Sequence, residues 1–137
     1  MAHGMRIYYA HSMRIYGSDR ECEEHQYLHR KGFRVCSPRG KLNRDNWYKR
    51  AQEFIGVLDA VVFTEYRDHI GRGVTEELLY AFNIDKPVYL LRDRLFYPVF
   101  NHNLYILGSD WAVCYAEIVG KLRAVDLSAR YREGTSG

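Results

Sequence analysis

No stretch of this chain approaches the roughly 18 consecutive apolar residues that a membrane-spanning helix needs, and no signal-peptide pattern stands at its N-terminus. Membrane insertion is therefore not expected. Cysteine is scarce too. Cys22, Cys36 and Cys114 are odd in number and far apart, which does not make a disulfide framework, so a reducing cytoplasm is the expected compartment. No repeat, low-complexity tract or linker divides the 137 residues, and one domain over 5–130 is expected. MAHG (1–4) reads as a leader ahead of Met5, and 133–137 as a disordered or added end. A strong charge imbalance is also lacking. The net charge of +3 fits an anionic ligand without requiring one.

What the chain does have is alternation of strand-like and helix-like segments. MRIYYA (5–10) is β-rich, and a polar loop, HSMRIYG, follows it. Ser18-Asp19-Arg20-Glu21 is a capping-box pattern that predicts a helix running to about Lys31 and stopping at Gly32. FRVCS (33–37) predicts a second strand ended by Pro38. Trp47, Ala51, Phe54, Ile55 and Leu58 form one apolar stripe at helical spacing. DAVVFT (59–64) is apolar throughout, as buried parallel strands are. A helix from near Val74, the turn Asp85-Lys86-Pro87 and the strand VYLL come next. LYIL (104–107) is expected as the fifth strand, and Ser109 as the cap of a last helix striped by Trp111, Cys114, Ile118, Leu122 and Val125. This order predicts an α/β domain with a doubly wound, mostly parallel five-stranded sheet, flavodoxin-like or Rossmann-like. Such sheets bind ligands at the carboxyl ends of their strands, near the topological switch point. HSMRIYG and EYRDHIGRG are the loops found there.

Within GRGVTEELLYA (71–81), Glu77 falls at the edge of the face shared by Val74, Leu78 and Ala81, whereas Glu76 projects toward solvent. A carboxylate so placed is partly desolvated, which raises its pKa, while a helix N-terminus lowers it. Gly71 and Gly73 would let the backbone bend sharply or approach a ligand closely. Together these suit a nucleophile or base, although acidic residues also favour first helical turns for dipole reasons alone.

IYYA, then Ser12-Met13-Arg14, then Asp59-Ala60-Val61-Val62, then GVTEELLYA and KPV, resemble in their order the nucleoside 2-deoxyribosyltransferase superfamily, nearest its 2′-deoxynucleoside 5′-phosphate N-hydrolase branch. The resemblance covers about residues 5 to 91. It implies that Glu77 is the nucleophile, through Gly73, Leu78 and Ala81 of the family pattern, and that Tyr8 holds it. It further implies that Ser12 and Arg14 bind a 5′-phosphate, to which Arg20 could add charge. The chemistry suits these types, because a carboxylate can stabilise or capture the oxocarbenium-like sugar left when an N-glycosidic bond breaks. A serine, an arginine and the amides near Gly17 and Ser18 can together hold an anion. The family's second carboxylate aligns with Ala51, Gln52 or Glu53; Glu53 is favoured, with Asp45 and Asp68 as rivals. A family phosphate-binding serine aligns with Gly71, whose role neighbouring Arg72 could take. The resemblance implies a homodimer and no metal or organic cofactor.

Other constellations read more plainly. Cys22, His25 and His29 have helical spacing, but closed zinc sites need about four ligands in a tighter pattern. His11 and His69 sit in the candidate loops as ligand contacts or as solvated side chains. The basic run 39–50 superficially suits nucleic acid, yet Trp47 belongs to the core stripe and the overall charge is modest, so a solvated basic face, or one rimming an anionic nucleotide, is preferred. LFYPVF (95–100) is apolar and either covers the site, meets a partner subunit or packs in the core. The expected function is hydrolysis of a (deoxy)nucleoside 5′-monophosphate to free base. A deoxyribosyltransferase and a non-catalytic nucleotide-binding sensor are the alternatives.

Overall fold

The computed structural model describes residues 4–36, 47–67, 69–107, 111–113 and 123–127, with Met13 and residues 105–107 and 111–113 described by backbone alone. Pro38, Asp45, Asp68, Ser109, Cys114, Ile118, Leu122 and most of the basic run 39–50 lie outside the described residues. The elements are β1 (Arg6–Ala10), α1 (Asp19–Arg30), β2 (Arg34–Cys36), α2 (Trp47–Val57), β3 (Ala60–Phe63), α3 (Arg72–Asn83), β4 (Val88–Arg92), β5 (Leu95–Pro98), β6 (Tyr105–Leu107) and β7 (Trp111–Val113), with short 3₁₀ turns at Met13–Ile15 and Asn101–Asn103.

Five strands form one sheet in the order β2-β1-β3-β4-β5. The first four are parallel, and β5 returns antiparallel to β4. This is the flavodoxin-like doubly wound order, and its strand sequence reverses between β1 and β3. The chain is thus an α/β protein with helices on both sheet faces. Strand alternation sorts the core. Tyr8 and Ala10 face the side covered by Ala51 and Ile55 of α2 and by Val74, Leu78 and Ala81 of α3. Ile7 and Tyr9 face the other side, with Leu28 of α1, Phe33 and Leu127. β3, which reads AVVF, is buried along its whole length between the two layers. A fully buried Ile55 contributes on the order of 2–3 kcal/mol by leaving water, and its truncation to alanine costs about 2–5 kcal/mol once the cavity is included.

The helix signals act as read, with one change of partner. The Ser18 side chain accepts the Glu21 amide at 3.2 Å, but the Glu21 carboxylate accepts from Gly17 N instead of the Ser18 amide, which is already bonded to Ile15 O. Gly17 and Gly32 adopt φ of +74° and +93°, which only glycine reaches without strain, at the two ends of α1.

Two expectations at the C-terminal side are corrected. The fifth strand of the sheet is Leu95–Pro98, not 104–107. Asp93 and Arg94 between β4 and β5 both have positive φ, which gives a two-residue hairpin its twist, and Pro98 is tolerated because β5 is an edge strand. Residues 105–107 instead pair with Trp111–Val113 in a separate two-stranded sheet. The last helix therefore does not begin at Trp111, and Val125 bridges to Phe96 in extended conformation.

Candidate functional site

The loop leaving β1 is held from inside. Glu21, almost fully buried, takes Gly17 N on one carboxylate oxygen and His11 Nε2 on the other, at 3.2 and 2.7 Å. His11 Nδ1 lies 2.9 Å from Ser12 O, and the Ser12 hydroxyl oxygen accepts the Arg14 amide at 3.1 Å. His11 is thus a structural partner of Glu21 within this loop. The loop's conformation leaves the Arg14 side chain exposed, 6.0 Å from the Tyr66 ring centre.

On the α2/α3 face, Tyr8 donates its hydroxyl hydrogen to Glu77 Oε2. These residues are 69 positions apart, and topology alone joins them: β1 lies beside β3, and α3 follows β3 back across the same face. α3 begins at Arg72, so Glu77 lies in its second turn, where the helix dipole has faded. Burial pushes the Glu77 carboxyl up to about 8, the Tyr8 hydrogen bond opposes that rise, and the charge of Glu76 adds to it. The Tyr8 hydroxyl is itself held well above its ordinary pKa, by burial and then by the adjacent carboxylate, so it remains a donor. Among the described residues Glu77 has no cationic partner. Glu76, by contrast, faces outward and pairs with Arg72 at 3.3 Å.

The opposite face of β1 carries a different assembly. Tyr9 donates to Glu24 Oε1, while Glu24 Oε2 accepts from Thr64 Oγ1 at 3.1 Å and pairs with Arg20 Nε at 3.5 Å. Arg20 also donates to Thr64 Oγ1 at 2.6 Å and to Glu65 O, and Arg92 pairs with the buried Glu65 carboxylate. Around this network opens a cavity of about 320 Å³, whose lining also includes Arg67, Leu91 and Asp93. Tyr8 and Glu77 are not part of that lining, so the chain has a buried Tyr–Glu pair on one face and a charged cavity on the other.

The structure separates the remaining candidates. Arg20 belongs to the cavity network. Glu53 lies exposed on α2. Gly71, the residue before α3, has an ordinary extended backbone (φ −77°, ψ 174°), which any residue can adopt. Gly73 faces Trp47 of α2: a methyl group there would lie 3.4 Å from Trp47 Cη2, in ordinary contact. Cys22 is exposed, and among the described residues no three His, Cys, Asp or Glu side chains gather into a metal-sized cluster. Sequence reading missed Glu21 as a loop anchor, Glu24 and Glu65 as network members, and Tyr66 with Arg67. Glu21 carried a local signal in its place in the capping box, and Glu24 one in its i,i+4 spacing from Arg20; the remaining contacts join segments far apart in the chain.

No protein-family model, no curated protein and no solved structure matches this chain. The class of protein rests on the fold itself, a five-stranded doubly wound α/β sheet of flavodoxin-like order. No helix among the described residues is long and apolar enough to cross a membrane.

Proposed function

We propose that the protein hydrolyses the N-glycosidic bond of a (deoxy)nucleoside 5′-monophosphate, with Glu77 as nucleophile. The observation that carries this reading is the hydrogen bond from Tyr8 to the buried Glu77, which has no cationic partner among the described residues. In its ionised form Glu77 attacks the anomeric carbon as the bond to the base breaks, giving a glycosyl ester, and the base leaves with a proton drawn from water. A second water then cleaves the ester and restores the carboxylate. Tyr8 fixes which oxygen faces the sugar and stabilises the charged form. Ser12 and Arg14, on the loop beyond β1, are the groups assigned to the phosphate. No cofactor is required by this scheme, and a homodimer in a cytoplasmic setting accompanies the reading.

A panel of nucleoside and deoxynucleoside 5′-monophosphates, followed for free base, tests it. At least one should be cleaved, and kcat/KM should climb with pH toward about 8 as Glu77 ionises. No base release from any member overturns the proposal. Arg14→Ala should lower kcat/KM for the monophosphate about ten- to a hundred-fold, since a charged hydrogen bond is worth about 1.5–3 kcal/mol, while the free nucleoside is far less affected. Equal losses for both forms remove Arg14 from the phosphate site. A sensor that binds nucleotide without turnover is the second reading, favoured by the exposed position of Glu53. Tight monophosphate binding without product would select it.

A further inference from the structure

Two arginines from different loops share one aromatic ring at the reversal of the sheet. The Arg14 guanidinium, from the loop after β1, lies 6.0 Å from the Tyr66 ring centre, and that of Arg67, from the loop after β3, lies 5.2 Å away. Both are within or near cation–π range. These are the two loops that flank the switch point, where doubly wound sheets take their ligands.

Neither arginine has a carboxylate partner among the described residues. The contrast with their neighbours is direct. Of the three arginines lining the cavity, Arg20 is paired with Glu24 and Arg92 with Glu65, whereas Arg67 has no such ion pair among the described residues. Two exposed like charges drawn to one ring repel each other, and an anion bound near both would offset that repulsion.

The backbone of Arg67 adds a second observation. Its φ of +52° lies in the left-handed region, which a long side chain enters at a cost that glycine avoids. The turn is enforced from both sides: Tyr66 N donates to His69 O at 2.9 Å and His69 N to Tyr66 O at 3.0 Å, while His69 Nδ1 sits 2.6 Å from Arg67 O. The turn thus holds an arginine, not a glycine, at a position that favours glycine, and keeps its side chain at the cavity rim.

We infer that Arg67 and Arg14, carried on Tyr66, form a two-arginine clamp for a phosphate monoester. The clamp rests on the reading of the switch-point crevice as a nucleoside monophosphate site and adds to it a binding residue from the second loop. Arg20, tied into the Glu24–Thr64–Glu65 network, is not part of the clamp. A planar guanidinium on each side suits the dianionic, three-oxygen face of a phosphate better than a single lysine-like charge.

The test is calorimetric titration of the full chain with inorganic phosphate and, in the Glu77→Gln background so that nothing is consumed, with four deoxynucleoside 5′-monophosphates and the matching nucleosides. Arg67→Gly is the informative variant because it relieves the left-handed backbone. It should keep or raise Tm while weakening binding of phosphate and monophosphate about ten-fold, with nucleoside binding unchanged. Arg67→Lys should lose less. Unchanged phosphate binding by Arg67→Gly overturns the clamp, as does failure of the wild-type chain to bind phosphate or any monophosphate at millimolar concentration. If phosphate binding depends on Arg67 but no monophosphate loses its base, the clamp stands and the glycosidase reading falls. If the Arg67→Gly chain releases base from monophosphate at the wild-type rate, the clamp falls and the glycosidase reading stands.

Discussion

Tyr8 and Tyr9 are consecutive residues of β1, and both donate a buried hydroxyl to a glutamate, one on each face of the sheet. The environments differ in one respect that matters for chemistry. Glu24, the partner of Tyr9, is compensated by Arg20 and Thr64 within a wider charged network. Glu77, the partner of Tyr8, has the tyrosine and, among the described residues, no cation, on a helix whose Val74, Leu78 and Ala81 lie in the core. A fully compensated carboxylate braces the structure; an uncompensated one stores electrostatic free energy that a positively charged sugar can release. The same Tyr–Glu motif is thus tied into a charged network on one face and stands in a buried, largely apolar setting on the other, where the proposed function would use its carboxylate.

The sharpest way to break this comparison is to neutralise each glutamate in turn. Glu77→Gln should abolish base release by several orders of magnitude with the fold retained, because glutamine keeps the shape and accepts the Tyr8 hydrogen bond. Glu24→Gln should leave kcat within a few-fold and lower stability instead, by about 1 kcal/mol or somewhat more, as its charged hydrogen bonds are lost. Comparable activity losses in both variants would dissolve the distinction between the two faces.

How far the sequence anticipates this arrangement follows from the range of each interaction. Local signals succeed: the Ser18 cap, the apolar stripe of α2 and the continuous burial of β3 are all written within a few residues. The hairpin that creates β5 is hidden, because its turn is Asp93-Arg94, both at positive φ without the Asn-Gly or Asp-Gly pair that usually announces it. The helical spacing of Trp111 and Val125 misleads for a related reason, since apolar residues that recur at that interval can equally pair across short strands. At the site, the place of Glu77 on α3 is visible from spacing, and its partnership with Tyr8 came from the family resemblance. Apart from the Arg20–Glu24 pair within α1, the Tyr9–Glu24–Thr64–Arg20 network is not visible, because its other links join elements that only the folded sheet brings together.

The tyrosines themselves give the next contrast. Tyr8→Phe removes the interaction that opposes the rise in the Glu77 pKa, so the rising limb of the pH–rate profile should move to higher pH. One unit of displacement corresponds to about a tenfold loss of activity on the acid side of that limb. At high pH, where Glu77 is ionised in both chains, the remaining loss reports the orienting role alone. Tyr9→Phe should leave the profile in place. If Tyr8→Phe lowers stability but leaves turnover per folded molecule and its pH dependence intact, Tyr8 is a packing residue.

The smallest effect is thermal and needs no substrate. An acidic group whose folded pKa is raised binds its proton more tightly in the folded state than in the unfolded one. For Glu77 the two values are about 8 and 4.5, so within that window folding takes up protons. Stability attributable to this site is then fully present at low pH, declines as pH rises through the window, and levels off above about 8. Glutamine carries no proton to lose. The Tm difference between Glu77→Gln and the wild-type chain should therefore be small near pH 5 and grow in favour of the variant by pH 8.5, on the order of ten degrees for a chain of this size. Glu24→Gln, which removes an ion pair with Arg20 and relieves no isolated buried charge, should show no such gain at high pH. A Tm difference for Glu77→Gln that is flat across this range would mean that water reaches the carboxylate freely, and the Tyr8–Glu77 face would then differ from the charged one in composition but not in electrostatics.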